Sequence, residues 1–243
     1  MSKPTTPTLD PSSTHTALGT TDDALFRRLC EAVALRLWDL EAVRVRPEEP
    51  FRLASGAYSP IYVNCRRAIS DPTLMQLFVT AARLLCERRG VAFDVVAGGE
   101  TAGIPFAAFL ASGLGQPMIY VRKKPKGYGT ASQVEGHLEP GQRVLLVEDL
   151  ITDGGSKLGF VDAIEACEAT VTDALVLFDR QQGGDAVLAS RGVRLHAVAD
   201  RATTLGVGVA EGHLDDGARA SVDAYFVDPE AWNRERGLGD SPS

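Results

Sequence analysis

The sequence lacks the residues and patterns that several protein classes require. Its four cysteines, Cys30, Cys65, Cys86 and Cys167, stand apart with no C-x-x-C pair. That argues against a zinc knuckle, a dithiol redox motif or a disulfide framework, and it suits a cytoplasmic, reducing compartment. No apolar run approaches the roughly 18–20 residues that span a bilayer, so neither a transmembrane helix nor a membrane partner is expected. Positive charge is in deficit: 25 Lys+Arg against 32 Asp+Glu give a formal net charge of −7. Nucleic-acid binding needs net or strongly clustered positive charge, so no nucleic-acid partner is expected. The opening stretch MSKPTTPTLDPSSTHTALGT has neither an apolar signal core nor the arginines of a transit peptide. There is no internal repeat.

What is present is a chain of 243 residues, 44% of them hydrophobic, enough for one large core. Residues 1–20 and 236–243 read as flexible tails around a single domain at 21–235. Thr21, followed by Asp22 and Asp23, is placed to cap a helix running to about Val43, with Leu25, Leu29, Val33, Leu37 and Leu40 near helical spacing. The Gly, Ser and Pro punctuation of PFRLASGAYSPIYVNCRR predicts a hairpin-like or irregular segment. Asp71-Pro72 then reads as a cap with proline in the first turn of a helix that ends at Gly90.

From about residue 90 to 200 apolar strands alternate with helices. FDVVAGG (93–99), PMIYV (117–121), RVLLVED (143–149), DALVLFDR (173–180) and VRLHAVA (193–199) are the strands. Strands apolar on both faces between amphipathic helices predict an α/β fold: an open, mainly parallel twisted sheet flanked by helices, with the N-terminal elements as a small cap or hood. Such sheets bind ligands beyond the carboxyl ends of their strands.

Those ends carry the chemistry. RVLLV delivers Glu148 and Asp149, and the following Leu150, Ile151, Thr152, Asp153, Gly154, Gly155 and Ser156 turn into a helix. Two glycines beside hydroxyls at a helix N-terminus form a cradle of N–H groups suited to a phosphate. The two carboxylates would repel a phosphate but can accept hydrogen bonds from a sugar's hydroxyls, so a ribose 5-phosphate fits. A magnesium-binding strand of a P-loop NTPase is excluded, since no G-x-x-x-x-G-K-[ST] occurs. A receiver domain would carry its acidic pair near the domain start and give the glycines no role. A second segment, YVRKKPKGYGTASQVEGHLEPGQ, puts Arg122, Lys123, Lys124 and Lys126 within five residues, followed by a glycine-rich stretch. A flexible basic loop at a strand end reads as a lid over a polyanion. A third, AGGETAGIPFA, is a glycine turn between strand and helix able to offer further N–H groups.

Together these segments resemble the type I phosphoribosyltransferases, and within them the orotate-specific members. The likeness covers about residues 45–232 and rests on FRLASGAYSPIYVNCR, GGETAGIP, VRKKPKGYG, VLLVEDLITDGGSK and LFDRQQGG. It implies transfer of a 5-phosphoribosyl group from phosphoribosyl diphosphate to orotate with Mg²⁺, giving orotidine 5′-monophosphate for pyrimidine biosynthesis. It further implies that Glu148 and Asp149 hold the ribose hydroxyls, that 150–156 wraps the 5′-phosphate, and that Thr101 and Tyr128 contact phosphoribosyl diphosphate. Arg122, Lys123 and Lys126 would neutralise the departing diphosphate, with Arg122, Lys126 and Asp149 the residues closest to the chemistry. Thr152 and Arg180 would border orotate, Arg180 pairing with its carboxylate. Mg²⁺ would be carried by substrate oxygens and water with no direct protein ligand. The basic loop would reach across a homodimer. Ala54, Ala102 and Tyr128 depart from lysine, lysine and histidine at the corresponding family positions, which puts individual diphosphate contacts in question.

Overall fold

Capping residues and strand alternation account for most of the observed elements. The computed structural model describes residues 12–53, 56–125 and 133–238. Helix α1 spans Ser12–Asp39, so it begins before the Thr21 cap read from sequence, and residues 12–20, expected in the tail, carry helical backbone. Pro11 is the last proline before it and none follows until Pro47, so nothing in that run interrupts a helix. At its other end Glu41 takes φ 50°, and Val43 opens a strand instead of closing the helix.

The segment expected to be hairpin-like forms two small antiparallel pairs. Strand β1 (Val43–Val45) pairs with β4 (Ile61–Val63), and β2 (Phe51–Arg52) with β3 (Tyr58–Ser59). A 3₁₀ turn, Cys65–Ser70, leads into α2, Pro72–Arg89. Asp71 caps α2 as the sequence predicts: its Oδ1 accepts the Leu74 N–H at 2.7 Å, Pro72 follows, and Gly90 closes the helix at φ 60°. Its Oδ2 takes the Arg36 guanidinium at 2.5 Å, tying α2 to α1.

The central sheet contains β5 (Val95–Gly99), β6 (Met118–Val121), β7 (Val134–Glu135), β8 (Arg143–Ile151), β9 (Thr170–Asp179) and β10 (Arg194–Asp200). Their order is β10-β9-β8-β5-β6-β7, all parallel except β7, which runs antiparallel to β6. The mainly parallel α/β architecture is therefore the one the strand pattern predicts. Helices α3 (Gly103–Leu114), α4 (Gly155–Glu165) and α5 (Gly184–Ala189) are the connections. On one face Leu145, Val147 and Leu175 pack with Leu37 of α1, Phe78 of α2 and Phe106 of α3. On the other, Val144, Leu146 and Val176 pack with Phe160 and Ile164 of α4. Helices α1 and α2 thus lie on the sheet itself, and only β1–β4 remain as a small N-terminal addition.

Beyond β10 lie α6 (Arg201–Ala210), α7 (Asp216–Val227) and α8 (Pro229–Glu235). None is anticipated from apolar periodicity. Each nevertheless starts at an aspartate whose carboxylate accepts the N–H three residues on: Asp200 from Thr203, Asp215 from Ala218, Asp228 from Ala231. That repeated cap was the available signal.

Arg36, together with the α2 amide, holds the Asp71 carboxyl below its ordinary value of 3.8. A carboxyl depressed by folding contributes stability above pH 3.8 that is lost as pH falls through the depressed value. Loss of a helix cap costs roughly 0.5–2 kcal/mol. Asp71→Ala should therefore lower the unfolding free energy measured in urea at pH 7 by an amount in that range and narrow its gap to the parent at pH 3. An equal deficit at both pH values would contradict the assignment.

Candidate active site

Strand order reverses between β5 and β8, the point at which open parallel sheets receive ligands. A cavity of about 460 Å³ opens there, lined by Glu100, Thr101 and Ala102 between β5 and α3, the end of β8, the start of α4, Lys123 and Gln133, and Arg66 of the 3₁₀ turn.

Alternation along β8 sets the geometry. Val144 and Leu146 face the α4 side, Leu145 and Val147 the side of α1 and α2. A period of two then turns Glu148 toward α4 and Asp149 toward the 3₁₀ turn. Glu148 is 5% exposed and Asp149 7%. Glu148 forms an ion pair with Lys157 Nζ through Oε2, and its other oxygen lies against Gly99. Burial raises its pKa, Lys157 pulls it back, and neighbouring Asp149 adds a smaller upward push. Its Oε1 is buried with no partner. Asp149 Oδ2 stands 3.9 Å from Arg66 Nε. Gly99 and Gly103 are required by this packing: a Cβ at either would meet the Glu148 carboxylate.

Beyond β8 the chain turns at Gly154, φ 79°, into α4. Asp153 Oδ1 accepts the Gly155 N–H at 3.1 Å, and Ser156 and Lys157 line the cavity, where the positive end of the helix dipole favours an anion. Across the cavity the Arg122 N–H bonds to Gln133 O at 2.8 Å, and Gln133 Nε2 donates to Arg122 O at 2.9 Å. These bonds close the base of the basic loop. The Lys123 N–H donates to the Glu100 carboxylate at 2.8 Å, and Lys123 lines the cavity. Among the described residues no group of three or more His, Cys, Asp or Glu is arranged to hold a metal ion.

The phosphoribosyl transferase domain family matches residues 77–196. Orotate phosphoribosyltransferase of Sinorhizobium fredii is 44% identical over 213 residues, covering 86% of this chain and 92% of that protein. The chain belongs to the orotate phosphoribosyltransferase family. Among solved structures, orotate phosphoribosyltransferase of Aeropyrum pernix is 35% identical with a TM-score of 0.65, over 75% of this chain and 99% of that one. UMP synthase of Leishmania donovani is 28% identical with a TM-score of 0.71; 90% of this chain matches, and the chain spans 47% of that longer protein.

Of the residues read from sequence as the orotate phosphoribosyltransferase site, Thr101, Lys123, Glu148, Asp149, Leu150 and Ser156 converge on the cavity. Thr152, Asp153, Gly154 and Gly155 form the turn above it and do not line it, and Ile151 is fully buried in the core. Arg122 points to Glu135 at 3.5 Å and does not line the cavity. Lys126 and Tyr128 lie outside the described residues, as does Ala54. Arg180 stands past the end of β9, its N–H bonded to Ile151 O at 3.1 Å, outside the lining residues. Burial lowers its pKa, with Tyr225 and Cys65 nearby opposing, and its Nε is buried without a partner.

Sequence reasoning missed Arg66, Glu100, Gln133, Lys157 and Phe160, all of which line the cavity. Lys157 directly follows the T-D-G-G-S turn, and its place in the first turn of a helix beneath the acidic strand was a usable signal. Arg66 gave none, since only the tertiary fold brings the 3₁₀ turn to β8.

Proposed function

We propose that this chain transfers the 5-phosphoribosyl group of phosphoribosyl diphosphate to orotate, forming orotidine 5′-monophosphate and diphosphate. The observation that carries the reading is two buried carboxylates at the end of β8 in one cavity with Ser156 and Lys157 from the first turn of α4. The identity to orotate phosphoribosyltransferases over most of the chain selects the acceptor.

The bond from the orotate ring nitrogen to ribose C1 forms as the C1–oxygen bond to diphosphate breaks, so no protein nucleophile is needed. Catalysis then rests on positioning and on charge placed where it develops. Asp149, with Glu148 behind it, accepts the ribose hydroxyls and faces the positive charge growing at C1. The α4 amides and Ser156 receive the 5′-phosphate. Lys123 lies on the diphosphate side, and Arg122, Lys126 and Tyr128 of the same basic segment are the diphosphate's further contacts in this reading. Mg²⁺, when bound, would supply positive charge to the leaving diphosphate, with substrate oxygens and water rather than protein side chains as its ligands.

Arg180 takes the carboxylate of orotate, with Thr152 alongside. A planar guanidinium matches a carboxylate with two hydrogen bonds, and its unpartnered buried Nε is a donor in need of an acceptor. The direct test is the fall in orotate's ultraviolet absorbance when phosphoribosyl diphosphate and Mg²⁺ are added. Hydrogen bonds to charged groups contribute roughly 1.5–3 kcal/mol, or about ten- to a hundredfold and more. Arg180→Ala should lower kcat/KM for orotate by that factor while phosphoribosyl diphosphate affinity holds. Loss of the diphosphate substrate with orotate binding intact would reverse the two halves of the site.

The same reading makes the enzyme a homodimer whose basic loop completes the neighbouring site. Mixed and exchanged, Lys126→Ala and Asp149→Ala chains should regain part of the activity that each lacks alone. Exchange without recovery would place each loop over its own site.

A further inference from the structure

The proposed chemistry uses the acidic pair of β8 but gives no task to Lys157, the lysine buried beneath it. Its side chain is 12% exposed and pairs with a Glu148 side chain that is 6% exposed. A lysine is seldom placed so deep without a specific partner. The Glu148 carboxylate packs closely on one side: a Cβ at Gly99 of β5 or Gly103 of α3 would meet it, with Phe160 of α4 alongside.

We propose that Lys157 is a positioning residue for the ribose-binding acid pair: it keeps Glu148 ionised and turned so that one oxygen is committed to Lys157 and the other is left unpartnered. The inference rests on the phosphoribosyl-transfer reading. The other oxygen, Oε1, is buried against Gly99 and Gly103 with no hydrogen-bond partner among the described residues, so Lys157 is the group that fixes which way the carboxylate faces. Without Lys157, burial and the Asp149 charge both act to protonate Glu148. The groups that face it are Lys157 and Phe160 from α4, Gly99 from β5, Gly103 from α3 and Asp149 from β8 itself. Arg66, Lys123 and Glu100 are the other charges around the cavity. Of these only Lys157 makes an ion pair with Glu148 among the described residues.

The test is the pH profile of kcat/KM for phosphoribosyl diphosphate in the full-length enzyme. An opposite charge in contact shifts a carboxyl by about 1–3 units. Lys157→Met should move the acidic limb of the profile upward by that amount, so that activity lost at neutral pH returns as pH rises. Its effect should fall on phosphoribosyl diphosphate rather than on the KM for orotate, and Lys157→Arg should restore the parental limb. An unmoved limb in folded Lys157→Met would overturn the proposal.

Because that variant leaves a buried carboxylate unpaired, which destabilises the fold, the neutral pair Glu148→Gln/Lys157→Met gives an independent reading. If Lys157 works through the Glu148 charge, this double variant matches Glu148→Gln alone in kcat/KM and loses the shifted limb. A double variant lower than Glu148→Gln by the full factor that Lys157→Met costs the parent would mean Lys157 acts by another route, and the proposal would fall. Absence of orotate turnover in the parent enzyme would instead overturn the phosphoribosyl-transfer reading itself, so the two failures are distinguishable.

Discussion

Two adjacent carboxylates at the buried end of one strand are the constraint around which the site is organised. Glu148 and Asp149 are sequence neighbours, and two like charges in a dry pocket would drive each other toward protonation. Strand alternation separates them onto opposite faces of the sheet, and each meets a cation from a different element. Lys157 comes from the helix that follows β8. Arg66 comes from the 3₁₀ turn far earlier in the chain. The close approach of Gly99 and Gly103 lets the Glu148 side chain fit against β5 and α3, so the fold at the switch point and the charge state of the site are one arrangement.

The same logic reconciles an acidic protein with a polyanionic substrate. A net charge of −7 disfavours polyanions in general, but local fields depend on which charges face the cavity. Under the proposed function the carboxylates meet the uncharged diol of the ribose, while the phosphates meet amides and cations at the two sides. The acids and the bases are thus sorted by the part of the ligand that each can accept.

Much of this was legible in the sequence where the signal is local. The Asp71-Pro72 cap, the Gly90 terminus, the five parallel strands and the acidic pair followed by glycines depend on residues close together, and each lies where the pattern places it. Boundaries slipped where local signals compete: Thr21 is a good cap, yet the run from Ser12 holds nothing that stops a helix. The short antiparallel strand Val134–Glu135 has too few residues for a periodic signal. Arg66 reaches Asp149 only through tertiary packing. Arg122 was read as a cation for the diphosphate, and its Glu135 neighbour on the β6–β7 ladder depends on a pairing that no local pattern announces. Lys157 was overlooked because a lysine in a helix's first turn normally reads as a solvated charge, and here a buried glutamate reverses that expectation.

The most direct measurement of the central claim is a crystal structure with phosphoribosyl diphosphate and Mg²⁺ bound. The account places the ribose hydroxyls on the Asp149 and Glu148 carboxylates, the 5′-phosphate on the amides and hydroxyl of 153–156, and the diphosphate toward Lys123. A 5′-phosphate seated on the basic loop, with the β8 carboxylates untouched by the sugar, would contradict it.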